Sequence, residues 1–160
     1  MKVRLLLLCG LLLTAACEPR DRTPGTWTRG EIVEGPVADW SFTDDALEVF
    51  LQTHPWYGVP HSVTTVLASA NDTLYIPSIY FDPEAPFPEG KYWNRIVAEN
   101  PEVLLKVGGK RYPLKISHIT DEAEFEKGFL ALAAKYPFWQ EQYENEAERV
   151  TFHLFRLDPR

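Results

Sequence analysis

The sequence predicts an α+β chain that is mainly β, a barrel of short strands carrying two or three helices on its periphery. Three observations support that class. Seven or eight β-rich runs recur along residues 27–157, bounded by turn-forming residues. Two pairs of runs are separated by the short turn sequences Ala70-Asn71-Asp72 and Gly108-Gly109. Only two or three segments suit a helix.

Taken in order, Trp27 to Val33 and Val37 to Thr43 read as short strands separated by Gly35-Pro36. Ala46 to Thr53 fits a strand through Leu47, Val49 and Leu51, and a helix through Leu47, Phe50 and Leu51. Val49, Phe50 and Thr53 favour the strand. The loop His54-Pro55-Trp56-Tyr57-Gly58-Val59-Pro60 continues neither element. Ser62 to Ser69 and Thr73 to Tyr80 form a hairpin, and the prolines at 83, 86 and 88 make residues 81–90 an irregular loop.

Tyr92 to Glu99 forms a short helix that stops at Asn100-Pro101. Glu102 to Val107 and Lys110 to His118 form a second hairpin, whose two glycines supply the positive φ of a two-residue turn. That turn sets a register: Val107 faces Lys110, Lys106 faces Arg111, Leu105 faces Tyr112, Val103 faces Leu114 and Glu102 faces Lys115. A helix opens at Thr120-Asp121-Glu122 with acidic residues at its positive end and runs to about Lys135. Pro137 to Glu148 is a second helical stretch, and Val150 to Leu157 a last strand.

The first residues carry an address. Lys2 and Arg4 precede about ten apolar residues and a small-residue site, Thr14-Ala15-Ala16-Cys17, in the order of a secretory signal peptide. Leu13-Thr14-Ala15-Ala16-Cys17 resembles the lipobox of bacterial lipoproteins, with Thr14 where leucine is usual. The resemblance implies removal of residues 1–16 and acylation of Cys17. Glu18 in place of aspartate then implies the outer membrane, facing the periplasm. Residues 17–26 read as a tether and residues 27–160 as one folded domain. No repeat or mid-chain linker divides that domain.

Composition excludes several classes. The chain is 45% hydrophobic and 24% charged, unlike a disordered tail or a polytopic membrane protein. Its formal charge of −7 argues against a nucleic-acid partner. Both cysteines, Cys9 and Cys17, lie in the first 17 residues, so the rest of the chain holds no internal disulfide and no thiolate zinc site. Phosphate loops, nucleophile elbows and paired-histidine metalloprotease motifs are missing. His54 and His61 lack metal-ligand spacing.

Two clusters remain as candidates for chemistry. Lys106 beside Arg111 is either a solvated strand edge or a local anion site on an acidic protein. Trp56, Tyr57, Trp93, Phe138, Trp139 and Tyr143 either plug barrel ends or form an apolar slot for a planar ring.

A family resemblance joins these features. Asp72-Thr73-Leu74-Tyr75-Ile76-Pro77-Ser78, then Lys91-Tyr92-Trp93-Asn94-Arg95-Ile96-Val97-Ala98-Glu99-Asn100-Pro101-Glu102-Val103, then Val107-Gly108-Gly109-Lys110 and Ile119-Thr120-Asp121 are similar in order and spacing to the FMN-binding split-barrel superfamily. The deazaflavin-dependent nitroreductase group stands nearer than the pyridoxamine-phosphate oxidases. The resemblance implies a six-stranded split barrel, commonly dimeric, with FMN or a related flavin at the subunit interface. Carried over residue by residue, it places Ser62, Thr64, Ser78 and Lys91 at the cofactor phosphate and Trp93 at the start of the short helix. Two readings follow: a lipid-anchored flavin-binding protein with reductase chemistry, or a non-catalytic envelope binding module without a cofactor. Ten acidic and no basic residues between Arg29 and Lys91 favour the second. The ordered pattern of Ser78, Lys91, Asn100-Pro101 and Gly108-Gly109 favours the first, and the lack of an obvious catalytic acid is no argument against it, since in such enzymes the cofactor does the electron chemistry.

Overall fold

The computed structural model describes residues 25–80, 82 and 85–160. The expected signal segment, Cys17 and the tether as far as Pro24 lie outside the described residues. Eight strands form one sheet: β1 (Glu31–Ile32), β2 (Val49–Thr53), β3 (His61–Thr65), β4 (Ala68–Ala70), β5 (Thr73–Ile79), β6 (Glu102–Val107), β7 (Lys110–His118) and β8 (Phe152–Pro159). The helices are α1 (Tyr92–Glu99), α2 (Glu122–Lys135) and α3 (Pro137–Glu144). Neighbouring strands run β3-β2-β6-β7-β8-β5-β4, all antiparallel, and β1 joins β7 in parallel. The fold is an α+β split barrel. It has eight strands rather than six, and two of the eight, β1 and β4, are only two and three residues long.

The second hairpin has the register that its glycine turn predicts, pair for pair from Val107↔Lys110 to Glu102↔Lys115. Gly108 and Gly109 both adopt positive φ. Alternation then builds two cores. Leu51, Leu74, Ile76, Val103, Leu105, Leu114, Ile116 and Phe155 point into the barrel, which Trp40, Leu67 and Trp93 close. The opposite phase of β5 and β8, Tyr75, Phe152 and Leu154, packs outside against Phe129 and Leu132 of α2 and Trp139 of α3. Asp121 caps α2 by accepting from the Glu124 N–H at 2.9 Å.

Three strand assignments are corrected. Val37 to Thr43 is not a strand: Asp39 accepts from both the backbone N–H and the hydroxyl of Ser41, and a 3-10 turn follows at Ser41–Thr43. Such local bonds compete with a sheet ladder. The run Trp27 to Val33 keeps only β1, because Gly30 turns with φ +130°. The run Ser62 to Ser69 breaks at Val66-Leu67. Its first half pairs with β2 and only its second half makes the hairpin with β5, across Asn71 and Asp72 at positive φ. Leu67 is fully buried at the break, and its carbonyl accepts from Lys135 Nζ at 2.8 Å and Tyr136 OH at 2.9 Å. Smaller differences fall at element ends: α3 stops at Glu144 before a 3-10 turn, and β8 is shifted two residues along.

The N-terminal segment lies across the barrel as a strap. Gly25 and Ser62 exchange both backbone hydrogen bonds, and Thr28 donates to Gln52 Oε1 through its N–H and hydroxyl. Arg111 donates to the carbonyls of Gly30 and Thr28. The Lys106–Arg111 pair is therefore no free anion site: Arg111 is held by strap carbonyls, and Lys106 lies 5.4 Å over the Phe50 ring. A Cβ on Gly30 would sit 2.2 Å from the Gly109 carbonyl oxygen. Gly30→Ala is expected to lower the free energy of unfolding by more than about 1 kcal/mol, since alanine at positive φ is strained and here also meets backbone. A fall in the urea midpoint checks this.

Candidate functional site

Strand β5 divides the expected site residues between two faces. Pro77 and Ile79 look outward, into a groove of about 380 Å³. Its other walls are Thr64, Thr65 and Val66 at the end of β3, Lys91 at the start of α1, and Tyr136, Phe138 and Trp139 around the α2–α3 junction. The groove exists because the chain leaves β2's edge at Val66 and re-enters the sheet beside β5, leaving a gap that the helices roof on one side.

Lys91 gives this groove its electrostatics. The side chain is half-buried, and burial pushes its pKa below the ordinary lysine value of 10.5. No carboxylate of the described residues pairs with it. A desolvated ammonium without a counter-charge attracts an anion more strongly than an exposed one does.

Ser78 faces the other way, in phase with Leu74 and Ile76. It is 1% exposed and donates to Asn94 Oδ1 at 3.3 Å, and the Asn94 amide donates in turn to the Tyr80 hydroxyl. Trp93 is also turned inward, packing on Phe155 at 5.0 Å. Ser62 lies beneath the strap, fully buried, with its hydroxyl unpaired among the described residues. Of the five residues expected at a cofactor, Thr64 and Lys91 share the groove, Ser78 and Trp93 serve the barrel interior, and Ser62 sits apart. The aromatic group also divides. Phe138 and Trp139 wall the groove, whereas Trp56 and Tyr57 lie with Tyr92 on another surface.

A pair of histidines that the sequence reading passed over closes the same end of the barrel. His118 Nε2 lies 3.0 Å from His153 Nδ1, Phe87 stacks on His118 at 4.2 Å, and Tyr80 meets His153 edge-on at 4.4 Å. The available signal was phase: His118 continues the inward series Leu114, Ile116, and His153 precedes Phe155 by two. Polar residues at inward positions of a barrel strand need partners. No group of three or more metal-ligating side chains occurs among the described residues.

A comparison with protein-family models finds no match for this chain, and a comparison with curated proteins finds none either. Solved structures do match it. A structure described as a domain-swapped dimer has 20% identity and a TM-score of 0.55, covering 71% of this chain and 81% of its own. An F420-H2 dependent reductase has 20% identity and a TM-score of 0.51, covering 71% of this chain and 95% of its own. A protein described as a 5-nitroimidazole antibiotic resistance protein, from Bacteroides thetaiotaomicron, has 17% identity and a TM-score of 0.51, covering 76% and 80%. At these identities the likeness is one of fold. The fold these structures share with this chain is the split barrel expected from its sequence.

The histidine pair makes a pH prediction. Between the two facing nitrogens there is room for one proton. Burial holds both imidazoles below the ordinary value of 6.5, and on His118 the charge of a protonated His153 lowers it further. The unfolded chain therefore binds protons more readily than the folded one below pH 6.5. Stability is full above that value and falls as pH drops toward 5. Thermal melts across pH 5–8 are expected to show this loss, with a shallower slope in His118→Asn/His153→Asn. Some slope remains there, because burial also lowers His54 and His61.

Proposed function

We propose that this protein binds a flavin-type planar anionic cofactor in the β3–β5 groove and serves as a lipid-anchored oxidoreductase of the bacterial envelope. Lys91 carries the reading: a half-buried cation that no carboxylate of the described residues pairs with stands at one end of a groove whose walls include Pro77, Ile79, Phe138 and Trp139. The residues fit such a group in its two requirements. Flat apolar walls suit a ring system, and one ammonium with the Thr64 and Thr65 hydroxyls nearby suits its anionic end. The groove's volume lies within the range of about 300–1,000 Å³ usual for small-molecule sites. A bound flavin supplies the electron-transfer chemistry, while these side chains orient it and keep water from one face. The reductase named among the similar structures supports the activity, and the domain-swapped dimer supports assembly as a homodimer. Acylation at Cys17 and an outer-membrane address facing the periplasm complete the proposal, supported by the residues Leu13 to Glu18.

The second reading, a non-catalytic binding module, is favoured by the placement of Ser62 and Ser78. With one hydroxyl under the strap and the other bonded to Asn94, fewer donors converge on a phosphate than the resemblance implies.

Titration of the protein with FMN, followed by flavin fluorescence, separates the two readings. The first expects saturable quenching. It also expects Lys91→Ala to weaken binding by roughly one to two factors of ten, the worth of a charge-assisted contact of about 1.5–3 kcal/mol. The melting temperature of Lys91→Ala should stay near that of the parent, because the substitution removes a half-buried charge that no carboxylate of the described residues pairs with. Absence of binding by FMN and by a deazaflavin favours the module.

A further inference from the structure

A surface away from the groove exposes aromatics that the proposed cofactor does not use. The loop between β2 and β3 presents Trp56 with 88% of its surface in solvent, followed by Tyr57 and Val59, both more than two-fifths exposed. Pro55 and Pro60 bracket this tip. Tyr57 OH lies 2.9 Å from Tyr92 OH of α1, so the two elements form one face. Arg95, one helical turn on from Tyr92, holds its guanidinium 5.5 Å over the Tyr92 ring. Trp56, Tyr92, Arg95 and Ile96 line a shallow cleft of about 160 Å³ there.

Tryptophan and tyrosine combine an apolar ring with a polar edge, and they concentrate where hydrocarbon meets water. Arg95 among them is a donor for phosphate: its Nη1 lies 4.0 Å from the Glu89 carboxylate in an exposed pair, and Glu99 also borders the cleft, so the phosphate would compete with these carboxylates. The position of this face in the chain narrows its occupant. Tyr92 packs edge-on against His61 at 5.3 Å, and the next residue, Ser62, is bridged to Gly25. The first described residue therefore emerges beside the aromatic face. Eight positions separate Gly25 from Cys17, a reach of at most about 28 Å. An acyl group on Cys17 thus holds this face close to a bilayer.

We propose that Trp56, Tyr57 and Tyr92 rest on the headgroup interface of a phospholipid bilayer, with Arg95 toward lipid phosphate. The inference rests on the reading that Cys17 is acylated. Docking fixes the orientation of the barrel, so that the face around Trp56 meets lipid.

The experiment takes protein purified from the membranes of expressing cells and adds phosphatidylcholine vesicles in excess, plain or brominated on the acyl chains. Trp40, Trp93 and Trp139 are buried and Trp27 is partly buried, so bromine quenching reports chiefly on Trp56, and the comparison with Trp56→Ser subtracts what Trp27 contributes. The expected result is a loss of emission in brominated vesicles that Trp56→Ser lacks; both forms should melt alike, because the ring makes little contact. Equal quenching in the two forms, or none, overturns the docking. A photo-crosslinker at position 56 that labels a protein in intact cells, with no bromine quenching, overturns it in favour of a protein partner. Flotation of the parent and of Cys17→Ser reads the anchor separately. A Cys17→Ser chain that still floats refutes acylation as the attachment, while the quenching difference continues to decide the docking.

Discussion

The backbone of Leu67 holds the constraint on which the sheet and the groove depend. Between β3 and β4 the chain leaves one strand partner for another, and its polar groups lose their ladder while Leu67 itself is driven into the core. A buried carbonyl left without a donor costs about 1–3 kcal/mol. The end of α2 meets that demand. Lys135 donates to Leu67 and also to the Thr43 carbonyl, and Tyr136 reaches the Leu67 carbonyl with its hydroxyl. Burial pulls the Lys135 pKa down, and Asp44 and Asp45 oppose that pull. The residue that satisfies the break also presents its ring to the groove, so the solution of a backbone problem builds a wall of the candidate site.

From that break follows the division of labour along β5. Its inward residues continue the barrel core as far as Ser78, where the filling turns polar through Asn94, Tyr80 and the two histidines. Its outward residues form the floor between Lys91 and the helix junction. The two environments lie one residue apart in sequence and on opposite sides of the sheet. One is closed and internally hydrogen-bonded. The other is open, apolar and positively charged.

Local chemistry made much of this legible. The glycine pair at 108 and 109 specified a turn, and the turn specified five cross-strand pairs that the structure reproduces. Helix ends were legible through Asn100-Pro101 and the acidic opening of α2. What escaped the sequence was settled at a distance. Nothing within Ser62 to Ser69 reports that Lys135 and Tyr136 will receive a broken strand, and the β propensity of Val66 argues for continuity. Ser62 and Ser78 matched a motif, yet their accessibility depends on a strap and on strand phase. Phase was readable for Ser78 from Leu74 and Ile76; the strap over Ser62 was not, because its contacts from Gly25 to Gly30 reach residues far along the chain, Ser62, Gln52 and Arg111. The histidine pair was readable in principle from the inward alternation of β7 and β8.

The strap also gives the molecule a mechanical polarity. Any tension entering at the N-terminal end of the described chain is borne first by the two Gly25–Ser62 hydrogen bonds, at the free edge of β3. Next in line are Thr28 on Gln52 and the Arg111 contacts, and last is the parallel pairing of β1 with β7. These attachments are arranged in series, so a pull peels them one at a time while β2 to β8 keep their own ladders. The strap can extend under load as a short spring and leave the barrel, with the groove between β3 and β5, its own ladders still paired.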